Sequence, residues 1–191
     1  MAKIVGIFGG SFNPVHKGHV MLAQFLSQSQ YLDEVWLTLS PQNPFKESND
    51  LLDDKHRLAM LHLATEGIEG VKVCDIELSM PQPSYTIYTL VKLSQQYPDY
   101  EFRLVIGGDN WNVFDRWKDY QRIIDEYGVV IYPRPGYELK PIRENNVVVI
   151  DAPLMDVSST EIRADIVNSS EKCDMLPQGV WDYIKKNNLY K

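Results

Sequence analysis

Lys3-Ile4-Val5-Gly6-Ile7-Phe8-Gly9-Gly10-Ser11-Phe12-Asn13-Pro14-Val15-His16-Lys17-Gly18-His19 is the stretch on which the reading of the fold turns. Residues 3–8 form a short apolar run with the β-branched bias of a strand. Two glycines follow at what would be its carboxyl end, and a segment of helical period, residues 20–27, begins just beyond Gly18. A strand that ends in glycines lets the backbone come close to a ligand. The next helix start offers unpaired amides and a positive dipole end, so the turn is a phosphate site in outline. No Gly-Lys-Ser/Thr closes it as a P-loop would, and it lacks the G-x-G-x-x-G pattern of dinucleotide folds.

The same alternation continues along the chain. Residues 34–39, 71–74, 102–106, 129–132 and 147–150 read as further strands, and residues 53–66, 85–97 and 119–127 as helices. Pro177 opens a last helix, in which Val180, Trp181 and Ile184 form the inward stripe. The expected inward faces elsewhere are Leu22, Phe25 and Leu26; Leu58, Leu61 and Thr65; and Ile87, Leu90, Val91 and Ser94. Near-continuous apolar strands alternating with helices predict an α/β fold: a Rossmann-like, doubly wound parallel sheet with helices on both faces. Ligands of such sheets bind beyond the carboxyl ends of the strands, where the winding reverses. No repeat or linker divides the chain, so a single domain over residues 1–191 is expected.

Composition bounds the partners. The chain has 191 residues with 19 Lys+Arg against 26 Asp+Glu, a net charge of -7. Surface scaling gives roughly 9,300 Å² folded against about 32,000 Å² unfolded, enough burial for a core without staples. An acidic chain with no basic run argues against a nucleic-acid partner. No apolar run approaches the roughly 18 residues of a membrane span, and the first residues lack a secretory pattern, so a cytoplasmic protein is expected. Cys74 and Cys173 lie far apart and read as buried, reduced thiols. His56 and His62 read as structural. A homo-oligomer is compatible with the sequence, which does not specify one.

Two segments carry the chemistry. His16 and His19 stand one helical turn apart, so both rings can reach one group in the crevice. A metal site would need a third ligand, and the segment offers no nearby carboxylate or thiolate. Farther along, Ser158 and Glu161 form a capping box that places Ser159 and Thr160 in a first helical turn, with Arg163 one turn on. A well-capped helix with an exposed Arg accounts for this segment as well as a polyphosphate clamp does. Two anion-seeking helix starts in one α/β chain favour the clamp.

These segments resemble the two signatures of the nucleotidyltransferase superfamily, H-x-G-H and I-S-S-T-x-I-R, with Val157 in place of the first Ile. Order and separation are similar to the adenylyltransferase branch, and the whole chain to the bacterial nicotinate-nucleotide adenylyltransferases. That similarity includes Pro83-Ser84-Tyr85-Thr86, Gly107-Gly108-Asp109, Trp117 and Arg134-Pro135-Gly136-Tyr137. The resemblance implies transfer of AMP from ATP to nicotinate mononucleotide. Phosphopantetheine adenylylation, or nucleotide binding without turnover, are the competing readings.

His16 and His19 are the implied catalytic pair. Gly9, Ser11, Phe12, Gly18, Gly107, Asp109, Ser158, Ser159, Thr160 and Arg163 are the implied ATP contacts. Lys46, Tyr85, Thr86, Trp117 and Arg134 are implied for the mononucleotide. Mg²⁺ is expected as the cofactor, held mainly by phosphates and water because no carboxylate cluster is present.

Overall fold

The structure, a computed structural model, describes residues 2–41, 51–153, 157–168 and 173–191. Its strands are β1 (Lys3–Gly10), β2 (Glu34–Leu39), β3 (Val71–Cys74), β4 (Tyr100–Gly107), β5 (Val129–Tyr132) and β6 (Val147–Val149). The helices are α1 (Lys17–Ser27), α2 (Asp54–Thr65), α3 (Thr86–Gln96), α4 (Gly108–Trp111), α5 (Tyr120–Glu126), α6 (Ser159–Asn168) and α7 (Gln178–Lys186). All neighbouring strands pair in parallel, in the order β3-β2-β1-β4-β5-β6. The winding reverses between β1 and β4, and sheets of this kind take their ligands beyond the carboxyl ends of the strands at such a point.

The strands alternate between two cores. Phe8, Leu37, Val105 and Val130 face one side, packed with α1, α2, α6 and α7 through Leu26, Leu61, Ile162 and Trp181. Val5, Ile7, Phe102, Leu104 and Ile131 face the other, with Leu90, Ile123 and Trp111 from α3, α5 and α4. Period-two alternation with both faces apolar is why each strand reads as a continuous hydrophobic run.

Boundaries shift at several elements. β1 runs on to Gly10 and β4 begins at Tyr100, because backbone pairing carries a strand past its apolar residues. Asp53, Tyr85 and Pro177 are caps rather than helical residues. The expected inward faces need correction at three places. Phe25 is exposed to 38%, Leu93 rather than Ser94 lies in the core, and α2 buries Arg57, Met60 and Ala64 beside Leu61 and Thr65, leaving Leu58 half-buried. Cys74 is buried, whereas Cys173 is only half-buried. His56 contacts the Tyr183 hydroxyl through Nδ1 at 3.0 Å, and His62 faces solvent. No helix among the described residues is long and apolar enough to cross a membrane.

Candidate active site

The turn after β1 is built around buried rings. Phe12 sits at φ 43°, a left-handed conformation that reverses the chain, and its side chain is buried edge-on to Phe8 and to His19 at 5.0 Å. Gly10 leaves room for that ring, since a Cβ there would lie 2.9 Å from it. Gly9, by contrast, is exposed at the strand end, where a Cβ would have the Ser40 hydroxyl 4.0 Å away as its near neighbour.

His16 caps α1 from an extended conformation and His19 lies in its first turn. The two rings stack at 3.6 Å. The His16 backbone N–H donates to His19 Nδ1 at 3.3 Å, so the neutral His19 ring carries its proton on Nε2. Burial lowers His16 to a pKa of about 4, with the Arg134 charge acting in the same direction. His19 is lowered as well, by burial first and then by His16 and Arg134. Both rings are therefore neutral donors or acceptors at pH 7. His16 Nδ1 is buried without a partner.

The second segment docks onto this turn. Ser158 and Glu161 form the capping box: the Ser158 N–H donates to Glu161 Oε2 at 3.0 Å, and the Glu161 N–H to Ser158 Oγ at 3.2 Å. Ser159 donates its hydroxyl to the Pro14 carbonyl, and Arg163 donates to the Asn13 carbonyl at 2.8 Å and to Thr160 Oγ1. Gly18 permits this approach. A Cβ on it would lie 2.9 Å from Val157 and 3.1 Å from the His16 ring. His16 is already stacked on His19, so its ring cannot give way. Gly18→Ala is expected to lower kcat on the order of tenfold or more, checked by steady-state kinetics on protein whose fold is verified by circular dichroism.

Beyond β4, Gly107 and Gly108 open into α4, and Asp109 Oδ2 pairs with Arg134 Nη1 at 3.1 Å. Asp109 Oδ1 is buried without a partner, pressed against Gly107, where a Cβ would lie 2.5 Å away. On the other face of the sheet, Tyr85 caps α3, Thr86 begins it, and Trp117 is half-buried against Phe114 at 5.2 Å. Lys118 joins these pieces, with its ammonium 4.9 Å from the ring centres of both Tyr85 and Tyr88. Glu77, buried, accepts the hydroxyls of Ser84 at 3.1 Å and Thr89 at 2.9 Å, on either side of the Tyr85-Thr86 step, and burial raises its carboxyl pKa.

The structure thus gathers His16, Gly18, His19, Ser159 and Arg163 into one constellation at the carboxyl ends of the strands, with Asp109 and Arg134 at the end of β4 and β5. Tyr85, Thr86 and Trp117 form a second group. Lys46 lies outside the described residues. Among the described residues no three of His, Cys, Asp and Glu come together as a metal cage.

Four residues of this region escaped the sequence reading. Glu77 and Lys118 look like solvated charges in any window, and Tyr190 donates its hydroxyl to Asn13 from the far end of the chain at 2.9 Å. Arg57 did leave a signal: it stands four residues before Leu61 and seven before Ala64, on the inward face of α2.

Comparison with known proteins gives the family. Residues 7–165 match the family described as cytidylyltransferase-like. A probable nicotinate-nucleotide adenylyltransferase of Bacteroides fragilis is 48% identical over 90% of this chain and 86% of its own length. The Flavobacterium johnsoniae protein of the same name is 40% identical, with 98% of both chains covered. The chain belongs to the nicotinate-nucleotide adenylyltransferase family. Solved structures carry the fold of this family across wide divergence. Nicotinic acid mononucleotide adenylyltransferase of Plasmodium falciparum, complexed with NaAD, superposes with a TM-score of 0.77 at 23% identity, covering 98% of this chain and 97% of that one.

Proposed function

We propose that this chain, acting as one domain, transfers the AMP moiety of ATP to nicotinate mononucleotide, forming nicotinate adenine dinucleotide and pyrophosphate. One observation carries the reading most strongly. His16 Nδ1 and Asp109 Oδ1 are the unpartnered buried side-chain polar atoms among the described residues, and both lie where the sheet's winding reverses. Buried polar atoms without partners cost about 1–3 kcal/mol each, so a site that retains them is built for a ligand that completes them. An imidazole N–H suits a phosphate oxygen, and a carboxylate oxygen suits a ribose hydroxyl.

The chemistry follows from these groups. A phosphate oxygen of the mononucleotide attacks the α-phosphorus of ATP, the bond from that phosphorus to the bridging oxygen breaks, and pyrophosphate departs with the electron pair. Phosphate is a competent nucleophile near pH 7, so neutral His16 and His19 need not remove a proton. Their role is to donate hydrogen bonds where charge develops. Ser159, Thr160 and Arg163 hold the distal phosphates at the amide-rich start of α6. Gly9 and the Ser11-Phe12 backbone lie against the nucleotide, which the exposed end of β1 supports. Among the described residues no three of His, Cys, Asp and Glu come together, so Mg²⁺ would be held by the phosphates of ATP and by water.

For the second substrate, the half-buried Trp117 face suits a pyridinium ring, and the amides around Tyr85 and Thr86 suit its carboxylate. Arg134, about half exposed, is available to the mononucleotide phosphate while its other contact is Asp109. Pyrophosphate release measured with nicotinate and with nicotinamide mononucleotide tests the assignment. A higher kcat/KM for the acid is expected. Equal or reversed preference would remove the substrate, and no release with either would remove the transfer reaction itself.

A further inference from the structure

Arg57, on α2, is fully buried, and every nitrogen of its guanidinium is engaged with backbone carbonyls or with Asp54. Nη1 donates to Ser11 O at 2.6 Å and to Ser40 O at 2.9 Å. Nε donates to Leu52 O at 2.9 Å, and Nη2 to Pro41 O at 3.3 Å and to the Asp54 carboxylate. These carbonyls belong to separate pieces of chain: the exit of β1, the exit of β2 and the approach to α2. β1 and β2 run side by side as far as the Gly10–Leu39 pair and one further bond, from the Ser40 N–H to Gly10 O at 2.9 Å. Beyond it no ladder bond joins the two exits among the described residues. Arg57 supplies the connection that the sheet no longer makes.

We infer that Arg57 is a positioning residue for the transfer reaction, setting the relation between the two loops that floor the nucleotide site. The path to the reacting groups is short. Ser11 O, held by Nη1, immediately precedes Phe12, whose left-handed backbone and buried ring stand behind His19 at 5.0 Å. A shift of the Ser11 carbonyl therefore rotates the Phe12 turn and moves the His19 ring. On the opposite side, the Ser40 N–H donates to Gly10 O at 2.9 Å, so the β2 exit borders the exposed end of β1. The planar fork explains why arginine stands here. An ammonium on a flexible stem has the charge but cannot hold carbonyls on three segments in fixed relative directions.

The inference rests on the transferase reading, and the test separates the two. Pyrophosphate release by the wild-type protein is measured first, and its absence would overturn the reading rather than the role of Arg57. Arg57→Lys and Arg57→Met are then compared with wild type for thermal midpoint, kcat and the KM of each substrate, well below the midpoint of each variant. Arg57→Lys, which keeps the charge, is the variant expected to fold. Its kcat should fall on the order of tenfold or more with each KM changed less than about threefold, because bound substrates are held in poor alignment. Arg57→Met, where folded, should lose more, and lysine should rescue part of that loss. A purely structural arginine would lower the midpoint and leave kcat of the folded protein untouched. Folded Arg57→Lys with kcat within about twofold of wild type overturns the inference, as does a loss confined to KM.

Discussion

Replacing His19 by alanine lowers kcat by on the order of 10²-fold or more, with a smaller change in KM, if this ring donates to the transition state. The direction of its hydrogen bonding makes the expectation specific. His19 Nδ1 accepts the His16 N–H at 3.3 Å, which leaves the proton on Nε2. Glutamine can place an amide N–H near the Nε2 position, whereas asparagine reproduces Nδ1. His19→Gln should accordingly retain more activity than His19→Asn or His19→Ala. The ring also supports its surroundings, being stacked on His16 and edge-on to Phe12. Circular dichroism and the thermal midpoint must therefore accompany the kinetics. A His19→Ala protein that is folded, keeps its kcat and loses only in KM would reduce this residue to a uniform binder.

Acid should destabilise the protein well before the general titration of its carboxylates. His16 is almost completely buried and its pKa is lowered to about 4 against an ordinary 6.5. Below pH 6.5 the unfolded chain takes up a proton that the native ring refuses, so stability present at pH 7 is lost as the pH falls toward 4. A displacement of that size is worth about 3 kcal/mol. His19 is displaced in the same direction and adds to the loss.

Two carboxylates bracket the effect. Glu34 has a lowered pKa despite its burial, because Lys3, Trp36 and Lys72 donate to it, so its contribution is lost only below the ordinary carboxylate range. Glu77, raised by burial, works in the opposite sense and is favoured as the pH falls. Urea unfolding between pH 7 and 4.5, compared between wild type and His16→Gln, isolates the histidine contribution. The wild-type curve should fall more steeply, and parallel curves would contradict the burial argument.

Much of the architecture could be read directly. Every strand expected from an apolar run is present, and the glycine-ended β1 lies beside the point where the winding reverses, because a run buried on both faces has no other way to hide its side chains. The Ser158–Glu161 capping box was equally legible, since its partners are three residues apart and its geometry is local. Inward faces were less secure. The helical period places Phe25 inside, yet it is exposed, while Arg57 is inward, as its spacing to Leu61 and Ala64 marks. Hydrophobicity ranks an arginine as surface unless its partners are known, and those partners are carbonyls at positions 11, 40, 41 and 52.

The sequence by itself determined the order of strands and helices, the capped helix starts at His16 and Ser158, and the family to which the chain belongs. These follow from patterns within a few residues of one another. Only the tertiary structure decided that Arg163 reaches the Asn13 carbonyl across 150 positions, that the histidine rings stack and are held neutral, and that Lys118 bridges Tyr85 and Tyr88. The reason is physical: hydrogen-bond direction and pKa depend on what lies within a few ångströms of a group. Here those neighbours come from strands and loops that meet only when the parallel sheet is wound.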